Sequence, residues 1–279
     1  MSSVDDDPER STTLPSWVPD GVDITVPNIA RAYDFMLGGY HNFAADRKYA
    51  EQAEQILPGT MESVYAHRAF LGRIVRWLVN AGIRQFLDIG SGIPTVGNVH
   101  EIAEQAKPGV RVMYVDIDPV VVAHTRAILA GNSLAGVLQA DLRRPRDILE
   151  HPDLKGLLDF SQPIAVLLLA VLHVVADADD PYGIVAQLRD AIVDGSYIAI
   201  SHATWVAELA EAFESVLRLS KQTSTPGLFR SREEVTRLFA GLDIIEPGLV
   251  PVTDWHPDPH EGAHKNWPGL LGGVGRKPG

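Results

Sequence analysis

The chain of 279 residues contains no cysteine. That excludes a disulfide framework, a catalytic thiol, and any thiolate-ligated zinc or iron–sulfur site. Basic residues are in deficit, 24 Lys and Arg against 36 Asp and Glu, so the formal charge is −12. No general field draws such a chain toward a phosphate backbone, and nucleic acid is not an expected partner. Long apolar runs are missing as well. The longest, residues 164–175, is interrupted by His173 and falls short of the roughly 20 residues of a membrane helix, so no membrane association is expected. The start, MSSVDDDPERST, has three consecutive acids where an export signal has a basic region followed by an apolar one. The expected location is the cytoplasm.

What is present is patterned. Residues 1–27, with Asp5, Asp6, Asp7, Glu9, Pro15, Pro19 and Pro27, read as a loose acidic arm. Residues 28–83 read as a helical extension, with helices over 28–37, 44–57 and 61–80 that stop at Gly38-Gly39, Pro58-Gly59 and near Gly82. In the third, Val64, Leu71, Ile74, Val75 and Leu78 share one face at the 3.6-residue period. From residue 84 to 279 the character changes. Short apolar runs at 85–89, 111–115, 136–139, 164–169 and 196–201 alternate with helical stretches at 97–106, 119–130, 145–151 and 181–193. Such alternation implies crossover units and a mostly parallel sheet covered on both faces. Further helices are expected over 205–220 and from Ser231, with Glu234 at capping-box spacing. Two closing strands, 242–245 and 249–252, are separated only by Glu246-Pro247-Gly248. So short a link predicts an antiparallel hairpin at the sheet edge, which makes seven strands in all.

The sharpest local signal is Phe86-Leu87-Asp88-Ile89-Gly90-Ser91-Gly92, an apolar strand running into a Gly-x-Gly turn and then a helix. Glycine suits a turn where a ligand approaches the backbone, although the same turn can serve packing alone. A dinucleotide loop wants a third glycine where this chain has Thr95. The second strand ends at Asp116-Ile117-Asp118-Pro119, with an acid where a ribose diol would sit, and the third ends at Ala140-Asp141-Leu142. Three acids after three successive strands suggest a ligand with a nucleoside and a positive end. Each acid alone could merely cap the next helix.

The succession FLDIGSG, YVDIDP, ADL and LLLAVLHVV resembles the Rossmann-like methyltransferases that use S-adenosylmethionine. More narrowly, the chain resembles a bacterial S-adenosyl methyltransferase family of unknown function. PNIARAYDFMLGGYHNFAADR, LDIGSGIPTVGNVHEIA, YVDIDPVVVAHTRAIL, PIAVLLLAVLHVVAD, GSYIAISH and FAGLDIIEPGLVPVTDW carry that likeness across nearly the whole chain. The resemblance implies an α/β fold, a doubly wound seven-stranded sheet with an N-terminal helical lid, and S-adenosylmethionine as cofactor. By the same resemblance Gly90 and Gly92 would pass under the methionine part, with Asp88 at the loop base. Asp116 would bind the ribose hydroxyls and Asp141 the adenine amino group, while Ile117 and Leu142 would sandwich the adenine ring. In the amino-terminal block Tyr33, Gly38, Gly39 and Arg47 match the family signature, together with Asp34, Asn42 and Asp46.

Methyl transfer from a sulfonium needs alignment and exclusion of water rather than a covalent nucleophile. For a hydroxyl or amine acceptor a base helps, and His173 at the end of the fourth strand, then His202 after the fifth, are the candidates. For both, the reading as hydrogen-bonded strand-end residues is the favoured one. No Asp/Asn-Pro-Pro-aromatic motif follows the fourth strand, which disfavours adenine or glutamine nitrogen as acceptor and leaves a small molecule. His256, His260 and His264 are spaced for one helix face, but Pro257 and Pro259 prevent that helix, so no metal site is expected. Two alternatives remain at this level: a sensor that binds S-adenosylmethionine or S-adenosylhomocysteine without transfer, and a nicotinamide-dependent oxidoreductase. Oligomeric state is not legible.

Overall fold

A computed structural model of the chain describes residues 18, 19, 21–95, 97–259 and 267–279. Three helices come first: α1 (Ile29–Met36), α2 (Ala44–Ile56) and α3 (Thr60–Asn80). Then follow β1 (Gln85–Ile89), α4 (Val99–Ala106), β2 (Arg111–Asp116), α5 (Pro119–Ile128), β3 (Ala135–Gln139), α6 (Pro145–Leu149), α7 (Pro152–Leu157) and β4 (Ala165–Leu169). The chain continues through α8 (Pro181–Ala191), β5 (Tyr197–Ala203), α9 (Ala210–Ser220), α10 (Arg232–Arg237), β6 (Asp243–Ile244), β7 (Val250–Pro251) and β8 (Leu270–Arg276).

Starts of helices follow local chemistry. Asn28 caps α1 by accepting from Ala30 N–H at 2.8 Å, and Asp118 caps α5 by accepting from Val120 N–H at 2.8 Å. At α10 the Ser231 and Glu234 side chains each accept from the other's backbone N–H, the expected reciprocal cap.

Among the described residues the sheet has the order β3-β2-β1-β4-β5-β8-β6, with β1 to β5 parallel and β8 antiparallel. Alternate side chains go to opposite faces. Leu87, Val166 and Ile198 pack on one side with Ile184 and Leu188 of α8, whereas Phe86, Leu167 and Ala199 pack on the other with Phe70, Ile74 and Leu78 of α3. Thus α3 belongs to the sheet's own core. By contrast α1 and α2 form a separate apolar cluster with Leu219 of α9.

The expected closing hairpin is not formed. β6 and β7 do not pair with each other; both run antiparallel to β8, Ile244 opposite Gly275 and Val250 opposite Gly272. They form one interrupted edge strand, so the sheet counts as seven strands or as eight segments. A three-residue link also lets a strand resume its course when a third strand supplies the ladder, and Pro247, lacking an N–H, interrupts it. The third strand, β8, reads as Leu-Leu-Gly-Gly-Val-Gly-Arg and has little strand propensity. Its glycine content reflects close packing: a Cβ at Gly272 would lie 2.2 Å from the Phe70 ring. The candidate metal residues His260 and His264 lie outside the described residues. His256 is described, and its Nε2 pairs with the Glu246 carbonyl at 2.9 Å. Most of the acidic arm, residues 1–17 and 20, is likewise outside.

Candidate active site

β1, β2 and β3 lie side by side and parallel, so their C-terminal ends bring Asp88, Asp116 and Asp141 to one edge of the sheet. The turn after β1 doubles back onto β2, with Gly90 and Ser91 both donating to the Val115 carbonyl at 2.8 and 3.2 Å. Gly90 and Gly92 have φ of +72° and +65°, a region open to glycine and costly for residues with a Cβ. A Cβ on Gly90 would meet Val171 at 2.3 Å, while at Gly92 the space is open.

Above this edge lies a cavity of about 750 Å³. From the sheet side Asp88, Gly90, Gly92 and Asp116 line it, followed by Ile117, Asp141 and Leu142. From the helical side come Tyr33 of α1 and the α3 residues His67 and Arg68. Segments 21–23 and 224–226 close its rim. Eight residues singled out from the sequence therefore converge on one space.

Electrostatics distinguish the three acids. Asp88 is 4% exposed, and burial pushes its carboxyl up to about 7, with the Arg68 charge opposing and Asp116 assisting. Burial likewise raises Asp116 to about 6, held back by amide hydrogen bonds from Asp118 and Gly92, each at 2.9 Å. Burial also disfavours charge on Asp141, but Arg143 outweighs it and holds that carboxyl below its ordinary value. The Arg143 guanidinium forks the carboxylate, with Nη2 2.7 Å from Oδ2. Ile117, 45% exposed, offers the cavity an apolar surface beside Asp116.

Gly38, Gly39, Arg47, His173 and His202 are not among the residues lining the cavity. Gly38 and Gly39 form the turn after α1, where Gly39 N–H donates to the Asp34 carbonyl at 2.8 Å. Arg47 donates to the Asn42 side-chain oxygen at 3.1 Å, and Asn42 in turn donates to Asp34 at 2.9 Å. His202 is fully buried, with Nδ1 2.6 Å from the Ala203 carbonyl and Nε2 2.8 Å from Arg230 Nη1. Only a neutral ring with Nδ1 protonated satisfies both contacts, so no lone pair is left for a substrate. Burial, then the neighbouring His173, lowers His202 to about 3. His173 is lowered to about 4 by burial and then by Arg230, and its Nδ1 has no partner among the described residues.

His67, Arg68 and Ala170 also line the cavity and were not singled out from the sequence, and Asp118, readable there only as a helix cap, lines it as well. For His67 a signal existed: it stands three residues after Val64 and four before Leu71, inside the apolar stripe of α3, where a polar ring must find partners.

A glycine turn against a strand-end acid, on a parallel sheet that closes through an antiparallel strand, is what the resemblance to Rossmann-like methyltransferases that use S-adenosylmethionine implies. The chain belongs to the S-adenosyl methyltransferase family, whose model matches residues 15–278. It is 40% identical to a candidate methyltransferase from Thermobifida fusca YX, with a TM-score of 0.88 over 95% of this chain and 100% of that one. A protein of a family of unknown function from Streptomyces avermitilis MA-4680 is 37% identical, with a TM-score of 0.86 over 92% of this chain and 99% of its own. An O-methyltransferase family protein from Burkholderia thailandensis, 13% identical, aligns over 81% of this chain and 63% of its own with a TM-score of 0.50, a likeness of fold alone. No curated protein matches the chain. The cofactor is S-adenosylmethionine, and the chain is a methyltransferase dependent on it by family and fold.

The residues present suit that cofactor. Gly92 leaves its cavity side open for a close approach to backbone, and the Ser91 hydroxyl beside it is buried with no partner among the described residues.

Proposed function

We propose that the protein methylates a small molecule in the cavity between the strand edge and the amino-terminal helices. The observation that carries this is the convergence of Asp88, Asp116 and Asp141, the Gly90 to Gly92 turn and the α1 and α3 side chains on one space of about 750 Å³. That volume lies within the roughly 300–1,000 Å³ of small-ligand pockets. It is a poor match for a polymer.

S-adenosylmethionine supplies a methyl group activated by the sulfonium, which an acceptor lone pair takes by in-line displacement. The chain's own residues bind, orient and exclude water. Asp116 would accept from the ribose hydroxyls while keeping its amide bonds from Gly92 and Asp118. Asp141 would accept from the adenine amino group, sharing its carboxylate with Arg143, and Ile117 and Leu142 would flank the ring. Gly90 and Gly92 admit the methionine part, and Asp88 at the loop base carries the charge that complements a cation. Tyr33 belongs to the lid, for which we assign α1 and α2; Gly38, Gly39 and Arg47 act through the shape of the connection between those helices. Of the two histidines His173 keeps the role of candidate base: it stands behind the cavity lining, next to Val174, and its Nδ1 has no partner among the described residues, whereas His202 holds Arg230.

Among the described residues no helix is long and apolar enough to cross a membrane. A cytoplasmic site of action completes the proposal, supported by the absence of cysteine. Calorimetric titration with S-adenosylmethionine, and then with a nicotinamide dinucleotide, tests the reading. Binding of the second but not the first overturns it. Transfer of labelled methyl to the small-molecule fraction of a cell extract is the expected product, and label found only in protein or nucleic acid refutes the small acceptor.

A further inference from the structure

Tyr33, His67 and Ser201 form a continuous hydrogen-bonded chain that crosses from the amino-terminal helices to the sheet. Tyr33 Oη lies 2.9 Å from His67 Nδ1, and His67 Nε2 lies 2.8 Å from Ser201 Oγ. Ser201 Oγ also accepts from the Ala170 N–H at 2.8 Å. His67 is 4% exposed and Ser201 fully buried, so each proton in the chain must be accounted for.

With Nε2–H donating to the second lone pair of Ser201 Oγ, the proton of the fully buried Ser201 would have no acceptor among the described residues, so the opposite tautomer is favoured. Ser201 accepts from Ala170, and the acceptor within reach of its own hydroxyl proton is His67 Nε2. A neutral imidazole that accepts at Nε2 carries its proton on Nδ1, and Nδ1–H then donates to Tyr33 Oη. Neutrality is secured by surroundings, because burial and then the Arg68 charge lower His67 to about 3. Tyr33 is thus an acceptor toward His67, and its own O–H points elsewhere. The remaining contact among the described residues is the Val64 carbonyl at 3.4 Å, too long for a strong bond. Burial raises the Tyr33 phenol to about 12, so it stays a donor.

The place of this donor follows from the strand order. Asp88, Asp116 and Asp141 stand over β1, β2 and β3, whereas Ser201 is on β5 and Ala170 directly follows β4. Tyr33, His67 and Ala170 all line the cavity, and Arg68 lines it beside them. Ala170 holds a left-handed φ of 53°, a strained backbone that its bond to Ser201 fixes in place.

We propose that this chain makes Tyr33 a fixed hydrogen-bond donor for a carboxylate or phenolate oxygen of the bound ligands, with His67 and Ser201 as positioning residues. The inference rests on the S-adenosylmethionine reading. Such an oxygen has two sources, the amino-acid end of the cofactor and the methyl acceptor, and the Arg68 charge favours an anion from either.

The test is calorimetric, on wild type, Tyr33→Phe, His67→Ala and His67→Asn. Each is titrated with S-adenosylhomocysteine, with 5′-methylthioadenosine, which lacks the amino-acid end, and with benzoate after saturation by S-adenosylhomocysteine. If the cofactor supplies the oxygen, Tyr33→Phe loses roughly tenfold in affinity for S-adenosylhomocysteine and none for methylthioadenosine, the scale of one hydrogen bond to a charged group. If the acceptor supplies it, both nucleosides bind as before and benzoate binds roughly tenfold more weakly. In either case His67→Ala shares the selective loss, and His67→Asn, whose amide can donate to Tyr33, restores it. Unchanged affinities for all three ligands, or equal losses for all three, overturn the proposal. Failure of the wild type to bind either nucleoside overturns it together with the cofactor reading.

Discussion

The backbone N–H of Gly92 donates to Oδ2 of Asp116 at 2.9 Å, tying the turn after β1 to the last residue of β2. One carboxylate thereby shapes the glycine turn and faces the cavity with its remaining lone pairs. Both jobs end together if it is removed.

Asp116→Ala should weaken S-adenosylmethionine binding by about 1–3 kcal/mol, since it strands the Gly92 and Asp118 amides as well as the ribose hydroxyls. Calorimetry reads this directly, and an unchanged affinity removes Asp116 from the site.

Asp88 makes binding and stability respond to pH in opposite senses. Its folded-state value, about 7, lies above the ordinary 3.8, so between these values the folded chain holds a proton that the unfolded chain releases. The stability it contributes is complete below about pH 4 and is lost as pH rises through 7. Asp88→Asn should therefore raise the Tm of the ligand-free protein at pH 8, by about 2–4 °C for each kcal/mol recovered, and leave it nearly unchanged at pH 4. Cofactor affinity of the wild type should rise with pH between 6 and 8, and that rise should be smaller in Asp88→Asn.

Gly90→Ala adds a methyl that collides with Val171 and forces a left-handed φ on a residue with a Cβ. Loss of cofactor binding is expected, with a fall in stability of about 2 kcal/mol or more. Val171→Ala in the same chain should recover the steric part and leave the backbone part, about 1–2 kcal/mol, in place. Denaturant midpoints of the single and double variants separate the two.

Arg31 and Asp46 form a buried ion pair, 3% and 0% exposed, that joins α1 to α2. Asp46 also accepts from Asn28 and Phe43 N–H at 2.8 Å, and Arg31 Nη2 donates to the Val26 carbonyl at 2.9 Å. Arg31→Ala leaves an unpaired buried carboxylate and should cost about 3–5 kcal/mol in urea unfolding. It also releases the segment around Val26 that lines the cavity, so weaker cofactor binding should accompany the loss.

His202→Phe keeps an aromatic ring, a larger one, at this buried position and deprives Arg230 of one acceptor. Arg230 also holds the Leu172 and Val175 carbonyls and Asp177, so the segment after β4 stays anchored. A stability loss of about 1–3 kcal/mol with cofactor affinity intact is expected. A large drop in affinity would place His202 in the binding site.

The parallel strands were legible because both faces are covered, Phe86 and Leu87 going to opposite cores, so each strand reads as a short unbroken apolar run between helical stretches. The turn glycines and strand-end acids were legible for a related reason: one strand after another ends in a residue that has no place in a core. β8 was not, because Gly272, Gly273 and Gly275 are needed where Phe70, Phe239 and Leu242 press on the strand, and that need arises only in three dimensions. His67 and Ser201 lie 134 positions apart, and no local period links them. Nor does any sequence pattern show that both His202 nitrogens are occupied.

The detour at Glu246-Pro247-Gly248 bears on how molecules meet. An exposed sheet edge is a ready template for a strand from another copy, and an uninterrupted one invites chain-to-chain growth. Here that rim is cut into two stretches of two residues each, Asp243–Ile244 and Val250–Pro251, one ending in proline. Neither is long enough to hold a partner in register. The sheet thus terminates itself on this side, and crowding should not turn this edge into a seed for fibrils.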